Sequence, residues 1–584
     1  MTDLSGTTVA RYMGPAPERV STRTGAVVAK DMTSLIGKTV AAEPKIIKVR
    51  EGVHCFVGGS LVIRTIIEAP EGLVIYDTGD DIEDGERALV AIRQISDKPI
   101  KAVIYSHNHY AHGTRPIIEG QGDVMIIGHP SVNQNFEVLS AGFATGGTFP
   151  EAAPVLASRF MLQFGSYLPA DGPDSRFLGG IPKISEKGTV LANRLVAHDG
   201  ETFDVAGLKM QFFTKYFSDS EDTLSVWIPE LGVALNNFVW PTLPNFYTLR
   251  GDVFRTPHEW MAGVRVLRDL GATYLVNTHA LPVVGKEEVQ GTLERYMDAI
   301  SFLIDQTMRG INKGLGPREL REFVRLPDVL RDEPHNAEIY GEFNYFPSHI
   351  YNHIFGWFDG DAANIHRLPP QEEARRIVRG FGGAAVVERQ AREALEQNDE
   401  VLWSLQLINW LLSADPEGAD VQALRLLKAR ALREMAYRAS GTIARHFCLA
   451  QALELEGKLQ IPTAILPSVQ DVLAAEPGRF VSFQRVRLDP AKAGNQQVTL
   501  RIVIEDKGQA FALAVRHGVA EFREGESAIA GKADAELRLS HQSWAEIYTG
   551  KTTVAAALQS GAAKADDNAK VKAFFAMFDP AVAA

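Results

Sequence analysis

Between residues 44 and about 310 the chain alternates β-rich apolar runs with segments of helical spacing. The stretch "GSLVIRTIIEAPEGLVIYDTG" holds two β-rich runs separated by "EAPEG", whose proline and glycine signal a turn. "DGERALVAIRQI" carries its apolar residues at helical spacing, and "IKAVIYS" reads as a short buried strand. "LKMQFFTKYF", "LSVWIPELGVALNN" and "ATYLVNTH" add strand candidates with turn residues nearby. Hairpins mixed with βα units predict an α/β domain built on sheets covered by helices. Residues 1–43 read as a poorly anchored lead-in.

The pattern changes over residues 311–465. "PQEEARRIVRGFGG", "AVVERQAREALEQ", "EVLWSLQLINWLLSA" and "ADVQALRLLKARALREMAYR" are amphipathic helices in succession. In the third, Val401, Leu402, Leu405, Ile408, Leu411 and Leu412 form one apolar stripe. Such helices stack on each other or dock on another subunit. Over residues 466–584 it changes again. "QVTLRIVIED" alternates Val498, Leu500, Ile502 and Ile504 on one face, "QAFALAVRHGVAEFREG" predicts a hairpin around "RHG", and "ELRLS" a further strand. "QSWAEIYTG" and "VKAFFAMFD" close the chain as helices. This is a small α+β domain, reached through a linker expected at "LPSVQDVLAAEPGRF".

Composition narrows the function classes. At 584 residues the chain exceeds a single core. Its net charge of -12 and pI near 5.7, without a Lys/Arg cluster, exclude a nucleic-acid surface. Two cysteines, Cys55 and Cys448, make neither a disulfide framework nor a thiolate metal site. No apolar run reaches the roughly 18 residues of a membrane-spanning helix, and "MTDLSGTTVARYMG" has no secretory h-region, so a cytoplasmic location without stable membrane insertion is expected.

The candidate chemistry lies in "SHNHYAHG", Ser106 to Gly113, where a strand ends and a loop begins. An isolated histidine is most often a hydrogen-bonded structural residue. His107, His109 and His112 at spacings of two and three, after a buried strand, instead suit a metal ion. His349 and His353 in "SHIYNHIFGWF" share a helix face but lack a nearby carboxylate, so packing is the better reading.

These residues also carry a resemblance. "SHNHYAHG" resembles the HxHxDH signature of the metallo-β-lactamase superfamily, and "LVIYDTG" its strand-turn with an aspartate, Asp77, supporting the metal loop. "PNFYTLRG", "NTHALPVVG" and "GWFDGDAANIHRLPP" resemble the alkylsulfatase branch. The resemblance implies an α/β fold, a metallo-β-lactamase αββα sandwich over residues 44–310. A helical dimerisation domain (311–465) and a sterol-carrier-like domain (466–584) would follow. It implies metal ligands at His107, His109, Asp219, His112 and His279, with Glu221 as a fallback for Asp219. It also implies a substrate-contacting Arg250. Three departures stand out. Ala111 replaces an aspartate that ligates a second zinc, Asn237 stands near a bridging glutamate, and Pro244 replaces a histidine treated as proton donor. A further sulfate-binding basic residue is replaced around Tyr345.

Both anions serving a second metal are therefore missing. Two neutral histidines leave a dication's charge uncompensated. One tight zinc site is expected, although iron or manganese suits the same ligands. His112 or His279 can then act as general acid or base, with Tyr247 near the lost donor; Arg250, Asn237 and Tyr345 are the substrate-side candidates. The expected activity is attack of metal-bound hydroxide on an ester-type bond, an alkyl sulfate ester by family resemblance. The substrate has a polar or anionic head and an apolar body, and the enzyme is a homodimer. Two alternatives stay open: a carboxylic ester or lactone hydrolase of the same fold, and a non-catalytic binding protein with a decayed site.

Overall fold

The computed structural model describes residues 8–140, 149–178, 188–251, 253–415 and 419–581. They form two compact units, Met1–Asn135 with Phe160–Ile461, and Phe136–Arg159 with Pro462–Ala584.

The lead-in is anchored, contrary to expectation. Its strands β1 (Arg19–Ser21) and β2 (Val27–Ala29) form a hairpin. Val28 and Met32 pack against Ala337 and Ile339. The Tyr12 hydroxyl donates to buried Glu342 at 3.1 Å, and Arg445 Nε donates to the Val27 carbonyl at 3.1 Å. Elements three to five residues long show no periodicity, and their partners lie hundreds of residues away. Sequence pattern therefore misses them.

Two sheets follow. The first orders β3 (Lys45–Arg50), β4 (Val53–Val57), β5 (Arg64–Ala69), β6 (Gly72–Tyr76), β7 (Ile100–Ile104), β8 (Met125–Gly128) and β9 (Arg194–Leu195) side by side. It is antiparallel from β3 to β6 and parallel from β6 to β9. The second orders β10 (Glu201–Val205), β11 (Leu208–Phe213), β12 (Ser225–Ile228), β13 (Val233–Asn236), β14 (Tyr274–Asn277) and β15 (Val283–Val284). Only β13 and β14 run parallel there. Val53, Cys55, Val74, Tyr76 and Ile104 of the first sheet meet Met210, Phe212, Val226, Leu235 and Val276 of the second in one core.

Every residue of β6 is buried because its sheet is covered on both faces, which is why it reads as an unbroken apolar run. The helix Ile82–Ile95 buries Ala88, Ala91 and Ile92. The helices Pro257–Asp269 and Lys286–Ile311 place Trp260, Val264, Leu293 and Tyr296 in a core with Ala234 and Leu275 of the second sheet. The layers are helix, sheet, sheet, helix. Within the same compact unit, helices Pro370–Gly380, Ala384–Glu396, Val401–Ala414, Val421–Arg438 and Thr442–Leu455 share another core. Val401, Leu405, Ile408 and Leu411 are buried there, while Leu402 and Leu412 are only partly so. Leu407, off the expected stripe, is fully buried.

The second unit orders β18 (Val519–Glu524), β17 (Gln509–Arg516), β16 (Val498–Ile504), β19 (Ala535–Leu539) and β20 (Ala563–Ala565). The "RHG" turn needs positive φ at both central residues, and His517 (53°) and Gly518 (73°) supply it. The expected linker is structured instead. Ser468 and Asp471 form a capping box on helix Val469–Ala474, and Val472, Phe480 and Val481 enter this unit's core.

His446 ties the first unit together in one tautomer. Its ring lies 2.8 Å from the Gln163 carbonyl at Nδ1 and accepts from the Phe177 N–H at Nε2, 3.2 Å. Burial pushes its imidazole down to about 4 from 6.5, against the pull of the Gln163 carbonyl. A value lowered by folding means that the neutral ring's contribution is present above pH 6.5 and lost as pH falls toward 4. The thermal midpoint is expected to drop over that window, with a shallower slope in His446→Gln. Equal slopes in thermal melts across that pH range would contradict the assignment.

Candidate metal centre

Strand register brings the site together. Tyr76 of β6 pairs with Ile104 of β7, so Asp77 and the Ser106–His107 segment leave the first sheet side by side. Asn236 of β13 pairs with Asn277 of β14, so Asn237 and His279 leave the second sheet together. Asp77 adopts a left-handed backbone, φ 61°, and is fully buried. Its Oδ1 accepts from the Ser106 N–H at 2.8 Å and its Oδ2 from the Thr278 hydroxyl at 3.3 Å. Burial pushes this carboxyl up to about 7, against the pull of the Ser106 N–H. The histidine loop is pressed onto its neighbours: a Cβ on Gly113 would lie 2.4 Å from the Thr78 carbonyl oxygen.

Among the described residues, ligand atoms of His107, Asp219 and His279 all lie within 4.8 Å of one another. His107 Nε2 is 3.8 Å and His109 Nδ1 3.6 Å from Asp219 Oδ2. The Ser106 hydroxyl bonds His107 Nδ1 at 2.8 Å, and the Leu61 carbonyl bonds His279 Nδ1 at 2.9 Å. Both rings therefore turn Nε2 into the site, where each is buried without a partner, as is Asn237 Oδ1. The Asn237 amide donates to Asp219 Oδ1 at 2.7 Å and to Ser218 Oγ at 3.0 Å.

Burial alone would raise the Asp219 carboxyl. His107 and His109 outweigh it and hold the group well below the usual carboxylate range. Burial likewise pushes His107 well below 6.5 and lowers His279. Imidazole nitrogens turned inward beside a carboxylate are the donor set that a divalent cation of the zinc type takes, so the residues fit one.

Other candidates fall elsewhere. His112 is outside this convergent set, and its Nδ1 bonds Thr189 Oγ1 at 2.6 Å. Ala111 is buried, with its carbonyl accepting from Thr114. Tyr247 stacks on His349 at 4.4 Å, and His353 on Phe254 at 3.6 Å, the packing role expected of both histidines. Tyr345 lies toward Glu342 and Tyr12; burial, then the Glu342 charge, raises its phenol. Asn237 is fully buried, with its amide on Asp219 and Ser218. Glu221 is exposed, leaving Asp219 as the carboxylate of the set.

Arg250 places its guanidinium over the Phe160 ring, 5.3 Å from the centroid, and its charge acts on Tyr340. Sequence reasoning missed Arg255, which is buried, donates from Nη1 to the Asn245 carbonyl at 2.9 Å, and acts electrostatically on His107 and Asp219. It also missed Trp240, whose ring lies 4.5 Å from His279, and Tyr340. No spacing signal marks these three; only Tyr110 sat inside the motif itself.

A linear primary-alkylsulfatase from a Pseudomonas species is 33% identical over 535 residues, covering 88% of this chain and 98% of the relative. The chain belongs to the alkylsulfatase branch of the metallo-β-lactamase superfamily. It is accordingly a hydrolase built on that fold. Three family models match it: "Metallo-beta-lactamase superfamily" over residues 62–112, "Alkyl sulfatase dimerisation" over 316–458 and "Alkyl sulfatase C-terminal" over 468–583. An (R)-specific secondary-alkylsulfatase from a Pseudomonas species is 30% identical over 536 residues, 88% of this chain and 78% of the relative. The solved structure of a stereoselective inverting sec-alkylsulfatase from a Pseudomonas species matches with a TM-score of 0.72 at 26% identity, over 99% of this chain and 94% of that one.

In this alkylsulfatase-family centre the Asn237 amide fixes the Asp219 carboxylate. Asn237→Ala is expected to weaken divalent-metal binding about 10–100-fold, while His112→Ala leaves it nearly unchanged. Competition titration with a chromophoric chelator measures both.

Proposed function

We propose that the chain hydrolyses sulfate esters of apolar alcohols, using one tightly held divalent metal. The observation that carries this reading is the convergence of His107, Asp219 and His279, with Arg255 acting on His107 and Asp219. His107, His279 and Asp219 would hold the ion, with His109 beside them. When bound, the ion supplies Lewis acidity sufficient to deprotonate water near neutral pH.

The chain's own residues do the remaining work. Arg250 and Arg255 supply positive charge for an anionic head group. A run of rings leads from the centre toward Arg250. Trp240 lies 4.5 Å from His279 and 6.3 Å from Tyr340, Tyr340 lies 6.4 Å from Phe164, and Phe164 lies 4.6 Å from Phe160, on which Arg250 rests. That wall suits an alkyl body. Pro244 offers no proton to a leaving group. Inversion, the property named for the solved relative, implies attack at carbon with expulsion of sulfate. Sulfate is the base of a strong acid and leaves unprotonated, so we assign attack at carbon to this chain as well.

We divide the chain functionally into a lead-in (1–43), a hydrolase domain (44–310), a dimerisation domain (311–465) and a C-terminal domain (466–584). The matched dimerisation region exposes Ile354, Phe355 and Trp357, which supports a homodimer. No helix among the described residues is long and apolar enough to cross a membrane.

Metal-loaded protein is expected to release sulfate from linear or secondary alkyl sulfates, to stop with a chelator, and to place ¹⁸O from labelled water in the alcohol. Turnover confined to carboxylic esters or lactones would overturn the reading, and label in the sulfate would overturn attack at carbon. Arg250→Ala should raise KM about 10–100-fold at unchanged metal content, the loss of one charged hydrogen bond.

A further inference from the structure

Tyr110 lies between His109 and Ala111, and its ring is turned inward, 9% exposed. The ring centroid is 5.1 Å from His107, 6.1 Å from His109 and 5.1 Å from His279, edge-on to each. Trp240 is also packed against His279, at 4.5 Å. The His279 imidazole is thus held by two aromatic rings while its Nδ1 is fixed on the Leu61 carbonyl.

A second metal in this fold would draw on a donor at position 111, on His112 and on His279. Position 111 has no donor atom. His112 has its Nδ1 on Thr189, which leaves Nε2 as its one ligand atom, and His279 already converges with His107 and Asp219. An ion must sit about 2.0–2.1 Å from an imidazole nitrogen with room for further ligands. The space beside His279 and the loop holds a phenol ring instead.

We propose that Tyr110 makes the centre mononuclear: its ring occupies the second-metal position and holds His107 and His279 facing a single ion. This rests on the metal-hydrolase reading above. The Tyr110 ring then adds to the carboxylates absent at Ala111 and Asn237, and restoring the one at position 111 alone does not create a second site. The obstruction is steric, so the ring matters and its hydroxyl does not.

The test is metal stoichiometry by elemental analysis after loading with cobalt(II) and desalting. Magnetic coupling between paired ions, read by electron paramagnetic resonance, is the second readout. Wild type, Tyr110→Phe and Ala111→Asp are each expected to hold about one equivalent, and Tyr110→Ala/Ala111→Asp about two with coupled spins, one tetrahedral set per ion. Two equivalents in Ala111→Asp alone would overturn the inference. So would one equivalent in the double variant with a native circular dichroism spectrum. If the double variant does not fold, Tyr110→Val/Ala111→Asp takes its place, with the same two equivalents expected and one equivalent overturning the inference. A wild type that holds no metal would sink the hydrolase reading as well, a result distinct from either of these.

Discussion

One buried carboxylate holds the site together. Asp77 accepts from Ser106 on the first sheet and from Thr278 on the second, and each of these residues is followed directly by an inward-facing histidine. Each such hydrogen bond contributes about 0.5–1.5 kcal/mol with the carboxyl neutral and about 1.5–3 kcal/mol with it ionised. They are set against a left-handed backbone at Asp77 costing about 1–2 kcal/mol and the burial of the carboxylate itself. The bonds lock His107 and His279 to the sandwich rather than to flexible loops. Metal-ligating rings must be held within fractions of an ångström, and strand ends of a packed core can do that.

The charge arrangement follows from that scaffold. Asp219 is the one carboxylate in the convergent set, and Asn237 supports it with a neutral amide. Rings of Tyr110 and Trp240 flank His279, with Tyr340 and Phe164 beyond. Arg255 beside His107 and Asp219, and Arg250 at the far end of the rings, add positive charge along this apolar wall. Such a field favours an anionic head carrying an alkyl body.

The hydrolase sandwich and the helical region share one compact unit, because the lead-in and the 160–178 segment pack against both. Val27 with Arg445, Gln163 with His446 and Tyr12 with Glu342 reach the helical region, and the Thr39 hydroxyl donates to the Pro241 carbonyl of the sandwich. Domain boundaries read from changes of pattern mark changes of secondary structure. Where the chain is physically divisible depends on which surfaces meet.

The sequence by itself determined the element types: parallel strands as unbroken apolar runs, amphipathic helices, the "RHG" turn and the HxHxxH loop after β7. Each is written in neighbours a few residues apart, where covalent geometry imposes the period. The family and its departures at Ala111, Asn237 and Pro244 were legible in the same way. Only the tertiary structure decided that His279, not His112, joins His107 and Asp219, and that Asp219 rather than Glu221 faces inward. It alone placed Arg255, Trp240 and Tyr340 near the centre, Tyr345 toward Glu342 and Tyr247 against His349. Those choices depend on register between strands more than a hundred residues apart and on which side chain a packed core admits. No local spacing encodes either.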